Sequence, residues 1–235
     1  MAPDAGLCTP VRSTIVNPER AREQVQSGLR PPQQARSRAA LQRILAAAEE
    51  VLVTDGLEEF TIARVAEHAG VSVGGVYRRF ASKEHLIDAI KQALAERLEQ
   101  AVAEALDTAE PSLGGVVEAF TAALGETLNE SGRVIPAILA GGRSLDPPEQ
   151  GLRTITALQR RFVEAAAIHR NQIRHPDPAT ALDIGFRSVL AAGTHRVLAS
   201  PLWPDGLTWR QWAREIADMT LAYLTAERQN ISSAR

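Results

Sequence analysis

The twenty residues from Thr61 to Phe80 constrain this chain more than any other stretch. Thr61 suits a helix N-cap, because its hydroxyl can accept from a free amide of the first turn. Ile62, Val65, Ala66 and Ala69 then share one helical face, and Ala66 is small where two helices must cross closely. Gly70 stands where a helix ends in a left-handed residue, a conformation glycine adopts without steric cost. Val71 plugs the angle of the turn, and Ser72 caps a second helix, Val73–Phe80, with Val76, Tyr77 and Phe80 as its anchors. The exposed side of that helix is expected to be Ser72, Gly74, Gly75, Arg78 and Arg79. Two short helices hinged this tightly form a helix-turn-helix, which presents its second helix to the major groove of DNA. Adjacent glycines cost a helix about 1 kcal/mol each relative to alanine. A backbone that must approach a groove closely compensates for that; a frayed turn is the plainer alternative.

The next segment, Ala81-Ser82-Lys83-Glu84, opens another helix. Ser82 is its cap and Glu84 suits the positive helix end. Lys83 in the first turn is placed to reach a phosphate beside free backbone amides. Charge adds to this locally. The whole chain has a net charge of -2, but residues 1–48 carry seven arginines against Asp4, Glu19 and Glu23, a net +4 immediately before the motif. Such an arm can meet phosphates, or can simply keep a tail in solution.

These residues resemble the tetracycline-repressor (TetR) family of one-component bacterial regulators. The likeness rests on Asp55-Gly56-Leu57, Phe60-Thr61, Val65-Ala66, Ala69-Gly70-Val71-Ser72, Gly74, Tyr77, Phe80 and Ser82-Lys83-Glu84, about residues 37 to 97. The resemblance implies an all-α homodimer with an N-terminal three-helix DNA-binding domain and a C-terminal helical ligand-binding and dimerisation domain. It implies that Thr61, Tyr77 and Lys83 touch phosphates, and that Ser72, Val73, Gly74, Gly75, Arg78 and Arg79 lie near bases or backbone. The chain departs from the family at Val73, often lysine or another polar residue, and at Arg79, often aromatic or histidine. Those departures bear on the operator sequence.

Composition agrees with a helical protein. Of 235 residues, 45% are hydrophobic and only 4% aromatic, and alanine and leucine favour helices over strands. No apolar run approaches a membrane span, and Met1 to Thr9 lacks the blocks of a signal peptide; a cytoplasmic protein is expected. The single Cys8 excludes an intrachain disulfide framework and a cysteine-rich zinc site.

The expected organisation is a disordered basic extension at 1–34, a helix-turn-helix domain at 35–82, a ligand-binding and dimerisation domain at 83–228, and a tail at 229–235. Helix one covers Ser37 to Thr54, with Leu41, Ile44, Leu45, Ala48 and Leu52 in register. A linking helix at 83–106 carries Leu86, Ile90, Leu94, Leu98, Val102 and Leu106 at spacings of four and spans about 36 Å. Further helices are expected at 116–129, 134–140, 147–170, 178–199 and 209–227. Asp177-Pro178 is a cap followed by a first-turn proline, and Thr208 with Gln211 forms a capping box. By the resemblance, the last two long helices form a four-helix bundle with a second copy, and Gly185, Ala191, Ala192 and Gly193 permit close approach.

The family pattern places an apolar effector cavity in the C-terminal domain. Phe120, Leu124, Ile138, Leu139, Ile155, Phe162 and Phe186 are candidate lining residues, or plain core. Arg143, His169 and His195 are candidates to orient a polar group. No catalytic constellation, nucleotide loop or metal-ligand set is apparent, so no enzyme activity, cofactor or metal is expected. His169 and His175 lack a third ligand, and Glu49-Glu50 and Glu58-Glu59 read as solvated surface. The resulting expectation is a regulator that binds a palindromic double-stranded DNA operator as a homodimer, answers a small-molecule effector, and acts most often as a repressor. The alternative is a helical interaction module that keeps the motif as structure only.

Overall fold

The computed structural model describes residues 33–140 and 148–227. The arm up to residue 32, Cys8, Arg143 and the tail 229–235 lie outside the described residues, as does the Leu139 side chain. Among the described residues every regular element is helical. The chain divides into two units, Met1–Leu41 and Gln42–Arg235. Of the first, the described part is the opening of α1 (Gln33–Thr54), largely exposed and built of good helix formers. That helix begins before the expected Ser37.

The second unit continues through α1 into α2 (Gly56–Glu59), α3 (Ile62–Ala69), α4 (Val73–Tyr77) and α5 (Lys83–Asp107). Ile44, Ala48, Val51 and Leu52 of α1 are buried, as are Phe60, Ile62, Val65, Ala66, Ala69, Val76, Phe80, Leu86, Ile87 and Ile90. Each such large side chain removed from water contributes about 1.5–3 kcal/mol. The four-residue α2 was expected to be loop. It opens at Gly56, whose φ of 76° reverses the chain after α1, and it packs against α7 (Val134–Ala140).

The rest of the unit is built around α6 (Leu113–Ser131), which packs on α5, α8 (Pro148–Ala167), α9 (Pro178–Ala199) and α10 (Trp209–Thr225). Val117, Phe120, Leu124 and Leu128 are buried along it as their spacing requires. Phe120 stands 4.9 Å from Phe162 and 5.6 Å from Phe186, ring centre to ring centre. The expected caps at Asp177 and Thr208 form, accepting from the amides of Thr180 and Gln211, and Gln211 Oε1 accepts from Thr208 N at 2.9 Å; Ser112, not singled out from sequence, caps α6 by accepting from Gly115 N. No helix among the described residues is long and apolar enough to cross a membrane.

Two expectations for this region change. Gly185 and Gly193 were assigned to a contact between copies, but both are buried within one chain. A Cβ at Gly185 would lie 3.3 Å from Thr220, and one at Gly193 would lie 2.7 Å from Leu128 and 3.3 Å from Trp212. They let α9 approach α10 and α6. Ala191 remains exposed. The apolar stripe of α8 is also shorter than expected. Leu158, Phe162 and Ala166 are buried, whereas Leu152 and Ile155 are exposed.

Candidate nucleic-acid interface

The turn between α3 and α4 is fixed by local hydrogen bonds. Arg64 N donates to Thr61 Oγ1 at 3.2 Å, capping α3. Gly70 closes it at φ 63°, ψ 37°, and Gly70 N and Val71 N donate to the carbonyls of Glu67 and Ala66. Gly75 N donates to Ser72 Oγ at 3.0 Å, capping α4. Val76 and Phe80 hold α4 to the core, so the opposite side of the helix must face outward. That side carries Ser72, Val73, Gly74, Tyr77, Arg78 and Arg79, all exposed.

Three details differ from the expectation. The helix ends at Tyr77, and Arg78 and Arg79 lie in the following turn. Tyr77 is not a core anchor. Its side chain is 53% exposed, because Val76 already occupies the inward position of that turn. Gly75 is buried beneath the Ser72 cap, and the two glycines therefore do different work. A Cβ at Gly75 would lie 3.2 Å from Ser72 Oγ, while a Cβ at Gly74 would meet nothing within 4 Å. Only Gly74 offers the bare backbone that a close approach needs.

The cations around α4 are partly committed. Arg79 Nη1 donates to the Gly75 carbonyl at 3.3 Å, bracing the end of the helix. Lys83 Nζ donates to the Leu57 carbonyl at 2.7 Å and sits 5.5 Å from the centre of the Phe60 ring. That bond ties the first turn of α5 to α2, and leaves the ammonium further donors. Arg64 forks onto Asp55 Oδ2 at 2.8 and 3.1 Å. The Arg64 hydrogen bond holds the Asp55 carboxyl below the usual aspartate range, and Asp55 in turn raises Arg64.

The candidate effector residues are distributed differently. Phe120, Leu124, Phe162 and Phe186 are buried together in the core, Ile138 is half-buried in α7, and Ile155 faces solvent. His195 is exposed beside the ring of Trp203. His175 is buried, with Nδ1 accepting from Asp177 N at 3.1 Å. Two open grooves, of about 790 and 810 Å³, lie elsewhere. The first runs between α6 and α10 and is lined by Glu118, Glu126, Trp209, Arg214 and Asp218. Arg196, not singled out from sequence, donates to Asp205 and to the Leu207 and Thr208 carbonyls and stacks on Trp209. It closes the loop between α9 and α10. A lone arginine among apolar residues of a helix gives no such signal in sequence.

The family profile described as bacterial regulatory proteins, tetR family, matches residues 44–90. That is the segment holding the turn, both caps and the start of α5. Residues 44–90 are therefore a tetR-type DNA-binding segment. Solved TetR-family structures extend the likeness beyond the matched segment. PfmR, a TetR-family transcriptional regulator from Thermus thermophilus, is 25% identical, with 80% of this chain and 97% of that chain covered at a TM-score of 0.57. A tetR-family regulatory protein from Rhodococcus RHA1 is 21% identical, covering 80% and 98% at a TM-score of 0.61. NalD from Pseudomonas aeruginosa is 21% identical, covering 80% and 96% at a TM-score of 0.54. No curated protein matches. The match and the solved structures together give this chain a tetR-type helix-turn-helix at the N-terminal end of an all-helical fold, and that fold supports a DNA-binding regulator.

Proposed function

We propose that this regulator binds a palindromic operator as a homodimer and is released from it by a small molecule, acting as a repressor. The observation that carries the reading is the outward face of α4. One side of the helix is sealed by Val76 and Phe80, and the other exposes Ser72, Val73, Gly74, Tyr77, Arg78 and Arg79. In the proposal Arg78 reads a base edge, Thr61, Tyr77 and Lys83 meet phosphates, and Gly74 lets the backbone approach the groove. Residues 35–82 act as the DNA-binding domain and 83–228 as the ligand and dimer domain.

Several observations support the remaining parts. The outer stripe of α9 exposes Ile184, Ala191 and Leu198, and α10 exposes Met219, an apolar face suited to a second copy. Two copies would set their α4 helices in successive major grooves, about 34–36 Å apart. NalD is the secondary repressor of the MexAB-OprM multidrug efflux pump, which favours repression here by likeness of fold. The tightly packed Phe120–Phe162–Phe186 cluster means that an effector must open this core to enter it. Such a ligand shifts the population toward a separation of the two heads that no longer fits the operator. Chromosomal operators would put the protein in the bacterial cytoplasm.

The test is to select fragments of the organism's genomic DNA bound by the full chain. Enrichment of an inverted repeat supports the proposal. Salt-independent or absent binding to every duplex refutes it and favours an interaction module.

A further inference from the structure

The DNA-binding segment is tied to α5 at two places. The first is Lys83, whose ammonium donates to the Leu57 carbonyl at 2.7 Å. The second is Arg97, whose Nη2 lies 2.9 and 3.1 Å from the two carboxylate oxygens of Glu49. Lys83 and Arg97 are fourteen residues apart on one helix, about 21 Å along its axis. Glu49 lies on α1, beside the buried Ala48 and Val51. The other ion pairs of this part of the chain among the described residues, Arg64–Asp55, Arg64–Glu67, His68–Glu50 and Lys91–Asp88, do not reach past Lys91 on α5.

The position of Arg97 along α5 is the second observation. Before it, Leu86, Ile87 and Ile90 are buried, and none of them belongs to the C-terminal core around α6. Immediately after it, Leu98, Val102, Ala105 and Leu106 join the C-terminal core around α6. Arg97 therefore stands where α5 passes from one apolar contact to the next. A helix held only by Lys83 and the buried turns up to Ile90 can pivot about that end, and the displacement grows with distance from it. A second tie about 21 Å away removes the pivot, the distance following from the helical rise. Glu49 has little exposed surface, whereas Arg97 is half-exposed. Half-exposed pairs add little to stability, so the geometric constraint is where this one acts.

We propose that the Glu49–Arg97 pair is a positioning contact that fixes the angle of the DNA-binding head on α5, and through it the half-site spacing the dimer accepts. This rests on the operator-binding reading above. Neither residue touches DNA in it; both act through the placement of α4.

The experiment uses the full-length chain. A random duplex pool gives the preferred half-site. That half-site is then rebuilt as a single copy and as inverted pairs at the selected spacing and at one and two base pairs either side. Wild type is compared with Glu49→Gln, Arg97→Gln and the swap Glu49→Arg with Arg97→Glu. Each single variant should lose about fivefold of the discrimination between spacings, the order expected for one ion pair. Affinity for the single half-site and the melting temperature should stay near wild type, and the swap should restore the spacing preference. An unchanged spacing profile in the single variants overturns the proposal, as does an equal loss on the single half-site, which would mean a merely structural role. If wild type enriches no duplex at all, the operator-binding reading fails, and this inference fails with it.

Discussion

The hydroxyl of Ser72 accepts from the amide of Gly75 at 3.0 Å, and a methyl group on Gly75 would lie 3.2 Å from that same oxygen. The neighbouring Gly74 has open space where its side chain would be. One glycine serves the cap and the other serves the surface. Gly74→Ala should therefore stabilise the protein by about 0.5–1 kcal/mol through backbone entropy while weakening operator binding. Gly75→Ala should give no gain, because the cap must yield. Thermal melts and a gel-shift titration on the two variants check the contrast.

Arg78 and Arg79 are adjacent but not equivalent. Arg79 braces the Gly75 carbonyl at 3.3 Å. Arg78→Ala should relax base preference by about 1–3 kcal/mol at one operator position. Arg79→Ala should act more evenly across sequences and lower the melting temperature. Binding measured at fixed salt over a panel of single-base operator variants separates the two.

Lys83 combines a structural bond with a surface charge. Removing its ammonium leaves the Leu57 carbonyl without this donor, so Lys83→Ala should cost about 1 kcal/mol of stability. It should also lower the salt slope of operator binding by about one. A slope equal to wild type would show that the ammonium is wholly engaged inside the protein.

The acid limb of stability should follow the capped and bridged carboxylates. Arg64 holds Asp55 below its ordinary range, and the Thr180 hydroxyl does the same for Asp177. The native state binds these protons less readily than the unfolded chain. Their contribution is full above the ordinary aspartate value of about 4 and is lost as pH falls through the lowered folded values. The melting-temperature gap between wild type and Asp55→Asn should be largest near neutrality and close as pH is lowered toward about 3.

What could be read from sequence was what is decided within a few residues. The Thr61, Ser72, Asp177 and Thr208 caps, the left-handed Gly70 and the Val117–Leu128 stripe all formed as read. Each depends on neighbours no more than one or a few turns away. The pairings that position the site join distant residues. Lys83 meets a carbonyl 26 residues back, and Arg97 meets a carboxylate 48 residues back. No periodicity encodes those. Glu49 consequently read as solvated surface, and Gly193 as a contact between copies rather than the seat of Trp212 and Leu128. Tyr77 misled for another reason. An aromatic beside Val76 in a short helix fits either face, and only packing chooses.

The most direct test of the central claim is hydrogen–deuterium exchange on the full chain with and without the duplex it selects. Exchange should slow at Thr61–Arg64 and Ser72–Lys83, the amides that cap and carry the outward face of α4. Protection confined to other helices, with α4 exchanging as fast as in the free protein, would contradict it.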